Sequence, residues 1–177
     1  MYIWTAIDID DPMKEFRRQA KAVAEEYGLS LLSFKYPQHI SLRISFEISE
    51  ENFNQALEDI RRYLRQIKPF EIKTLNFERK RTFAFIPVEE TEQLRQMHEY
   101  LCSFMKAKYN VPLHPFDEFY IYHTNVIIDE DFALLKTAFP NMENIPYPET
   151  IKVNKFIIGC SNDGEADNFS VLENIEI

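Results

Sequence analysis

The sequence predicts an α+β fold of two pseudo-symmetric lobes, with antiparallel sheets lining a central cleft and helices on the outer faces. Two strands that each carry a histidine lead to this prediction: residues 37–46 (PQHISLRISF) and residues 119–128 (FYIYHTNVII). Both are rich in β-branched or aromatic residues, and both run into an acidic segment that begins a helix. The chain therefore looks internally duplicated, and residues 1–177 are predicted to form one domain of two lobes.

The remaining elements follow from apolar periods of two residues for strands and 3.6 residues for helices. Asp11 and Ser49 are typical N-cap residues, while Gly28 and Pro69 are typical of helix ends. In chain order, the predicted elements are a strand at 2–9, a helix at 11–28, strands at 29–35 and 37–46, a helix at 49–69, strands at 70–77 and 82–88, a helix at 90–109, a strand at 119–128, a helix at 130–139, and strands at 151–160 and 169–177. Residues 70–77 and 82–88 are expected to pair as a hairpin, as are the last two strands.

In the first histidine strand, alternation puts four polar side chains on one face: His39, Ser41, Arg43 and Ser45. An imidazole two residues before a hydroxyl places a proton shuttle beside a hydrogen-bond donor, an arrangement that phosphate-ester chemistry can use. A half-exposed strand with a polar outer face is the ordinary interpretation of a single such pair. The second histidine strand strengthens the chemical interpretation.

In that second strand, His123 and Asn125 share one face, and Thr124 lies on the other. Two lobes related by a pseudo-two-fold axis could bring His39 and His123 to face each other across a cleft. Histidine suits both acid and base roles near neutral pH, because its unperturbed pKa is about 6.5.

Charge and composition exclude several classes of protein. The formal net charge of −9 argues against a long duplex nucleic acid as partner, because such binding needs many cationic contacts. Cys102 and Cys160 form no Cys-x-x-Cys pair, and the chain has only three glycines with no phosphate-cradling motif. With no secretory leader and no long apolar run in the sequence, we expect a reduced, cytoplasmic protein without a membrane partner.

Three other groups of residues have two interpretations. The cations at positions 79–81 indicate either a solvated turn or a rim that attracts phosphate. His98 lies on the edge of a helical apolar stripe and is more typical of a packed residue than of a catalyst. His114, in a proline-bounded loop, is a reserve candidate for the site.

The arrangement resembles the two-histidine (2H) phosphoesterase superfamily, which includes 2′-5′ RNA ligase-like proteins and cyclic nucleotide phosphodiesterases. The resemblance spans nearly the whole chain and is greatest to a bacterial branch. Residues 37–43 (PQHISLR) match the first motif, including its proline. The second motif departs from the pattern: Asn125 stands where a hydroxyl is usual, and Tyr122 where a proline is frequent.

The resemblance implies a hydrolase that needs no metal or cofactor and acts on a cyclic phosphate or a 2′-5′ phosphodiester of a nucleotide or RNA end. His39 and His123 would be the catalytic acid and base, without an assignment of which is which. Ser41, Asn125 and Arg43 would hold the phosphoryl oxygens. Arg43 could instead pair with a nearby acid, and an asparagine amide can still donate a hydrogen bond.

Tyr36 and Tyr120 flank the two motifs and are candidates for stacking against a base, although both could simply pack the strand ends. The rival function is a nucleotide-binding or protein-interaction module that keeps the fold and has lost catalysis. The expected partner is a small nucleotide or RNA end, and the sequence does not indicate an oligomeric state.

Overall fold

The computed structural model describes residues 1–177 and confirms the predicted α+β fold of helices and antiparallel sheets. The strands are β1 Tyr2–Asp8, β2 His39–Glu47, β3 Phe70–Lys73, β4 Glu78–Arg79, β5 Phe83–Pro87, β6 His123–Ile128, β7 Thr150–Val153, β8 Lys155–Ser161 and β9 Ser170–Glu176. The helices are α1 Asp10–Tyr27, α2 Glu50–Leu64, α3 Glu92–Tyr109 and α4 Phe132–Glu143. No helix combines the length and apolar character that a membrane crossing requires.

The order β1-α1-β2-α2 is repeated as β5-α3-β6-α4, and we call these the first and second lobes. Each histidine is the first residue of the second strand of its lobe. His39 pairs with Asp8 at the end of β1, and His123 pairs with Pro87 at the end of β5. The internal duplication in the sequence therefore places both histidines at equivalent corners of two antiparallel strand pairs.

The sheets have the orders β2-β1-β8-β9, β4-β5-β6 and β3-β7. Both β2 and β6 are edge strands, so each has one side without a strand neighbour. The large core is continuous and draws buried aliphatic and aromatic side chains from both lobes. Burial of so much apolar surface holds the two histidine strands on one rigid body.

The helix ends follow local signals in most places. Gly28 ends α1 with a φ of 70°, a left-handed conformation that glycine adopts at little cost. The side chains of Thr91 and Asp131 cap α3 and α4 by accepting hydrogen bonds from backbone N–H groups. The predicted cap at Asp11 is wrong by two residues, because α1 already begins at Asp10 and its N-cap is Ile9.

The strand predicted at residues 29–35 is absent, and a short 3-10 helix occupies Leu32–Phe34. Two contacts explain why this segment does not pair with β2. The guanidinium of Arg17 on α1 donates hydrogen bonds to the carbonyls of Phe34 and Tyr36. The backbone N–H of Ser30 is held by the Asp129 carboxylate of the second lobe.

The predicted hairpin of residues 70–77 and 82–88 forms only in part: its two segments meet at an antiparallel bridge between Thr74 and Val88, and their strands otherwise pair elsewhere. β3 pairs with β7 from the end of the chain, whereas β5 pairs with β4 and β6. The segment predicted as one strand at 151–160 divides at Asn154 into β7 and β8, which lie in different sheets. Pro140 lies inside α4 and does not end it. The last hairpin, β8 with β9, is as predicted.

Candidate active site

Both histidine rings are held in the same way by their own strands. Nδ1 of His39 lies 2.7 Å from the carbonyl oxygen of Pro37, and Nδ1 of His123 lies 2.7 Å from that of Ile121. Because a carbonyl oxygen can only accept, Nδ1 carries the proton in each contact. Nε2 of each ring is therefore the nitrogen that can exchange a proton with a ligand.

An aromatic ring from the neighbouring strand packs edge-on against each imidazole. Trp4 of β1 lies 4.5 Å from His39 between ring centroids, and Phe85 of β5 lies 5.3 Å from His123. Such edge contacts fix a ring's orientation as well as burying it. The two lobes thus orient their histidines by the same two devices.

A cavity of about 310 Å³ opens beside the first histidine strand. Its wall brings together side chains from both lobes and the last hairpin: Trp4, Tyr36, His39, Ser41, Asn125 and Phe169. His123 is not part of this wall, but it lies two residues before Asn125 on the same face of β6. Its charge is nevertheless close enough to lower the pKa of His39.

Removal from water lowers the pKa of His39 to about 4, even though its ring keeps some exposure. The Pro37 carbonyl and the Asp8 carboxylate oppose this shift, and the charges of His123 and Arg17 add to it. The His39 ring is therefore neutral at pH 7, with a free lone pair on Nε2.

Ser41 and Asn125 have uncommitted hydrogen-bonding groups in the cavity. The indole N–H of Trp4 donates to Ser41 Oγ at 3.2 Å, which leaves the hydroxyl proton free to be donated. The buried carboxamide oxygen of Asn125 has no hydrogen-bond partner. This oxygen can only accept, so the side-chain NH₂ of Asn125 is the group that could donate to a phosphoryl oxygen.

Arg43 follows the alternative interpretation and pairs with an acid. Register shifts in the β1-β2 pairing break the alternation, so Leu42 and Arg43 are both buried. The Arg43 guanidinium lies 3.5 Å from the Asp117 carboxylate and donates to the Pro112 carbonyl at 2.9 Å. Its charge is thus balanced by Asp117, but its Nε and Nη1 have no hydrogen-bond partner and the residue borders the cavity, so a phosphate role for Arg43 stays a prediction.

The two tyrosines predicted to stack against a base are placed differently. Tyr36 lines the cavity, and its hydroxyl donates to the carbonyl of Ala166 at 2.9 Å. The ring of Tyr120 is stacked on His98 with centroids 4.3 Å apart, and its hydroxyl donates to the Ser41 carbonyl. Tyr120 lies outside the cavity wall and His98 covers one face of its ring, so this geometry gives no support to the predicted stacking of a base on Tyr120.

No strand pairs with the free edge of β2. Side-chain hydrogen bonds join this edge to the second lobe instead. The buried Gln38 amide donates to Thr124 Oγ1 at 2.5 Å and to the Asn125 carbonyl at 2.6 Å. In the other direction, Tyr120 reaches Ser41, and Nδ1 of His98 lies 2.9 Å from the Leu42 carbonyl. These bonds set the spacing between the two histidine strands.

The reserve candidates lie outside the cavity wall. His98 is buried between the β2 backbone and the Asp117 carbonyl, which agrees with a packed role. His114 caps a short 3-10 helix by accepting from the N–H of Phe116. The guanidinium of Arg79 lies over the ring of Phe132, 5.0 Å from its centroid, so this cation does not form a rim of the cavity.

One cluster has the residue types of a metal site. Ligand atoms of His98, Cys102 and Asp117 lie within 4.8 Å of one another, and all three residues are buried. Both ring nitrogens of His98 are within 3.0 Å of carbonyl oxygens, and Arg43 already balances Asp117. A metal ion there would have to displace these partners, so the cluster fits a polar brace behind β2 better than a metal centre.

Sequence comparison finds two curated relatives of moderate similarity, and no family model matches the chain. A protein of Oceanobacillus iheyensis, named as a candidate phosphoesterase, is 32% identical over 92 residues, covering 49% of this chain and 52% of the relative. A Bacillus licheniformis protein of the same description is 32% identical over 73 residues, covering 38% of this chain and 41% of the relative. The chain thus spans about half the length, or less, of the curated relatives it matches.

Similarity to solved structures extends over the whole chain. Protein TT0787 of Thermus thermophilus has a TM-score of 0.61 at 15% identity, over 99% of this chain and 97% of that one. Escherichia coli LigT, solved with ATP, has a TM-score of 0.58 at 16% identity over the same shares of the two chains. At these identities the likeness establishes the fold alone, which this chain shares with TT0787 and LigT. The fold that the resemblance implied is thus confirmed.

Proposed function

We propose that the protein is a metal-independent phosphoesterase that acts on a cyclic phosphate or a 2′-5′ phosphodiester of a nucleotide or RNA end. The observation that carries this proposal is the matched anchoring of two histidines on different lobes. Each has Nδ1 bound to a carbonyl two residues earlier and Nε2 free. Ser41 and Asn125, each two residues after a histidine, line the cavity, and the Ser41 hydroxyl proton is free to be donated.

With a 2′,3′-cyclic phosphate, neutral His39 would take a proton from water at Nε2 while the water oxygen forms a bond to phosphorus. The bond from phosphorus to one ribose oxygen breaks, and that oxygen takes a proton from His123. One water is added, and proton exchange with solvent restores both rings. The low pKa of His39, caused by burial, suits the base role and leaves the acid role to His123.

The Ser41 hydroxyl and the Asn125 amide would donate hydrogen bonds to the phosphoryl oxygens as negative charge develops. The aromatic side chains of Trp4, Tyr36 and Phe169 would form the surface for the base. Stacking of this kind contributes about 1–3 kcal/mol per base. Support comes from LigT, which has been solved with 3′-AMP and with ATP.

The test is to incubate the protein with the four 2′,3′-cyclic nucleotides and with 2′-5′ and 3′-5′ dinucleotides, and to separate the products chromatographically. We expect turnover of at least one cyclic or 2′-5′ substrate in the presence of a chelator. Turnover that disappears with chelator and returns with one divalent ion would contradict the metal-independent mechanism.

A nucleotide-binding module without catalysis is the second candidate. Two observations favour it: Asn125 replaces the hydroxyl of the second motif, and His123 lies outside the cavity wall. Nucleotide binding without any product, unchanged in His39→Ala and His123→Ala, would support this module and end the catalytic proposal.

A further inference from the structure

A second cavity, of about 230 Å³, lies against α1 and is lined mainly by cations. We call it the basic groove: Lys14, Arg17, Arg18 and Lys21, with Asp10 and Phe34. The four cations are spaced at i, i+3, i+4 and i+7, so they share one face of the helix. In a chain with a net charge of −9, such a concentration of positive charge is local.

The basic groove shares one wall, residues 32–36, with the cavity beside His39, which we call the catalytic cavity. Leu32, Ser33 and Tyr36 line the catalytic cavity, whereas Phe34 lines the groove. Arg17 fixes this wall by donating to the carbonyls of Phe34 and Tyr36. A ligand longer than the catalytic cavity could therefore cross the wall and enter the groove.

Arg17 is committed to Asp10 at 3.3 Å, but the other three cations of the groove are available to an anion. Lys14 forms no ion pair, and Arg18 pairs only with Glu15, where both side chains are about two-thirds exposed. Lys21 is paired with Glu25 at 3.6 Å, again on the surface. Exposed pairs of this kind are worth about 0–1 kcal/mol, so a phosphate can displace their carboxylates.

We propose that the basic groove binds a backbone phosphate of a single RNA strand whose cyclic-phosphate end occupies the catalytic cavity. This inference rests on the proposed function and extends it to the substrate class. A cavity of about 310 Å³ suits a single nucleotide, so the next phosphates of a strand must lie outside it. Cations beside an aromatic ring, here Phe34, are the usual means of binding single strands.

The experiment compares substrates of one to four nucleotides that end in a 2′,3′-cyclic phosphate. The variant carries Lys14→Glu and Lys21→Glu, neither of which belongs to the catalytic cavity. The matched control carries Arg62→Glu and Lys106→Glu, exposed cations on α2 and α3 that form no ion pair and give the same change in charge.

We expect the groove variant to keep wild-type kcat/KM on the mononucleotide and to lose about tenfold or more on the longer substrates, mainly through KM. The dependence of log KM on log salt should become shallower by about 0.7 for each phosphate that the variant no longer binds. The control should behave like wild type on every substrate. Equal losses of kcat/KM in both variants, or no loss on longer substrates, would contradict the proposal that the basic groove binds a phosphate.

A binding measurement keeps this result separate from catalysis. The dissociation constant of a trinucleotide with a 3′-phosphate is measured by fluorescence anisotropy for the wild type, the groove variant and the control. Weaker binding in the groove variant alone would support the groove even if no substrate turns over, and the proposed function would then fail by itself. Equal dissociation constants for all three proteins would contradict phosphate binding by the basic groove, whatever the catalytic result.

Discussion

The two lobes orient their histidines alike but surround them differently. In the first lobe, His39 lies in the cavity wall, and burial lowers its pKa to about 4. In the second lobe, His123 has the same carbonyl anchor and a similar aromatic neighbour, yet it lies outside that wall. The duplication thus gives His39 and His123 the same orientation. Their different surroundings could give the two rings different roles, one as base and the other as acid.

The last hairpin, which has no counterpart in the second lobe, adds to the wall of the cavity in which His39 lies. Ala166 and Phe169, which lie between β8 and β9, line the same cavity as His39. The loop is tied down because Tyr36 and Lys35 donate hydrogen bonds to the carbonyls of Ala166 and Asp167. The last hairpin therefore adds to the wall in which His39 lies, whereas His123 lies outside that wall.

The largest effect is expected from removing either histidine. His39→Ala and His123→Ala should each lower kcat by about 10³-fold or more, and the double variant should be little worse, because the two rings act as a unit. Single-turnover kinetics on the best cyclic nucleotide measures this. Losses that simply multiply in the double variant would show that the lobes act independently.

Removal of a phosphoryl donor is expected to come next. Ser41→Ala and Asn125→Ala should each lower kcat by about 10²–10³-fold, as for loss of one charge-stabilising donor. Asn125→Thr restores the hydroxyl usual in the resembled family and should preserve or raise kcat. Ser45→Ala, further along the same cavity wall, is the control and should change kcat by less than about threefold. An Asn125→Ala variant with wild-type kcat would remove position 125 from the site.

Removing the hydrogen bonds that Gln38 makes to the second lobe should lower the rate less than removing a phosphoryl donor. Gln38→Glu keeps the size of the side chain but cannot donate to Thr124 Oγ1 and the Asn125 carbonyl. Loss of these buried bonds should lower the free energy of unfolding by about 1–3 kcal/mol. The altered spacing of the histidines should lower kcat about tenfold with little change in KM. Urea unfolding and steady-state kinetics measure the two effects, and an unchanged kcat would contradict the positioning role.

The pH profile tests the unequal environments directly. With a His39 pKa of about 4, kcat/KM should keep most of its value at pH 5 and fall only as His39 is protonated near pH 4. The unfolded chain binds more protons between about pH 6.5 and 4, so stability should fall as pH falls through that window. Circular dichroism at each pH is therefore the control. An acid limb near pH 6.5 would show that His39 is not the buried base.

The smallest effect on kinetics is expected from removing the hydrogen bond between Tyr36 and the loop of the last hairpin. Tyr36→Phe keeps the ring in the cavity and removes its hydrogen bond to the Ala166 carbonyl. Net loss of one partly exposed bond of this kind is about 0.5–1.5 kcal/mol, so KM should rise about two- to tenfold with kcat unchanged. Steady-state kinetics is the measurement, with Tyr27→Phe on α1 as a control away from the cavity. A change in kcat without a change in KM would mean that the hairpin acts on the chemistry and not on binding.

The duplication, the helices and the chemical identity of the central residues could be predicted from the sequence, because they depend on local patterns. His39, Ser41, His123 and Asn125 were found from alternation within two strands and from the resemblance that their motifs carry. Trp4 and Phe169 were missed, since nothing near them in sequence indicates that they line the same cavity as His39. Gln38 stands within the first motif without a predicted role, because its partners lie on a strand far along the chain.

Local sequence patterns were sufficient to predict the helices and strands that carry the histidines, since period and capping act over a few neighbouring residues. The pairing of strands was settled by tertiary packing, in which β3 pairs with β7 and not with β5. The same packing brings Arg43 to Asp117 and lets Tyr120 brace Ser41. Strand pairing and burial depend on groups brought together from the whole chain, so the burial that lowers the pKa of His39 could not be predicted from its neighbours in sequence.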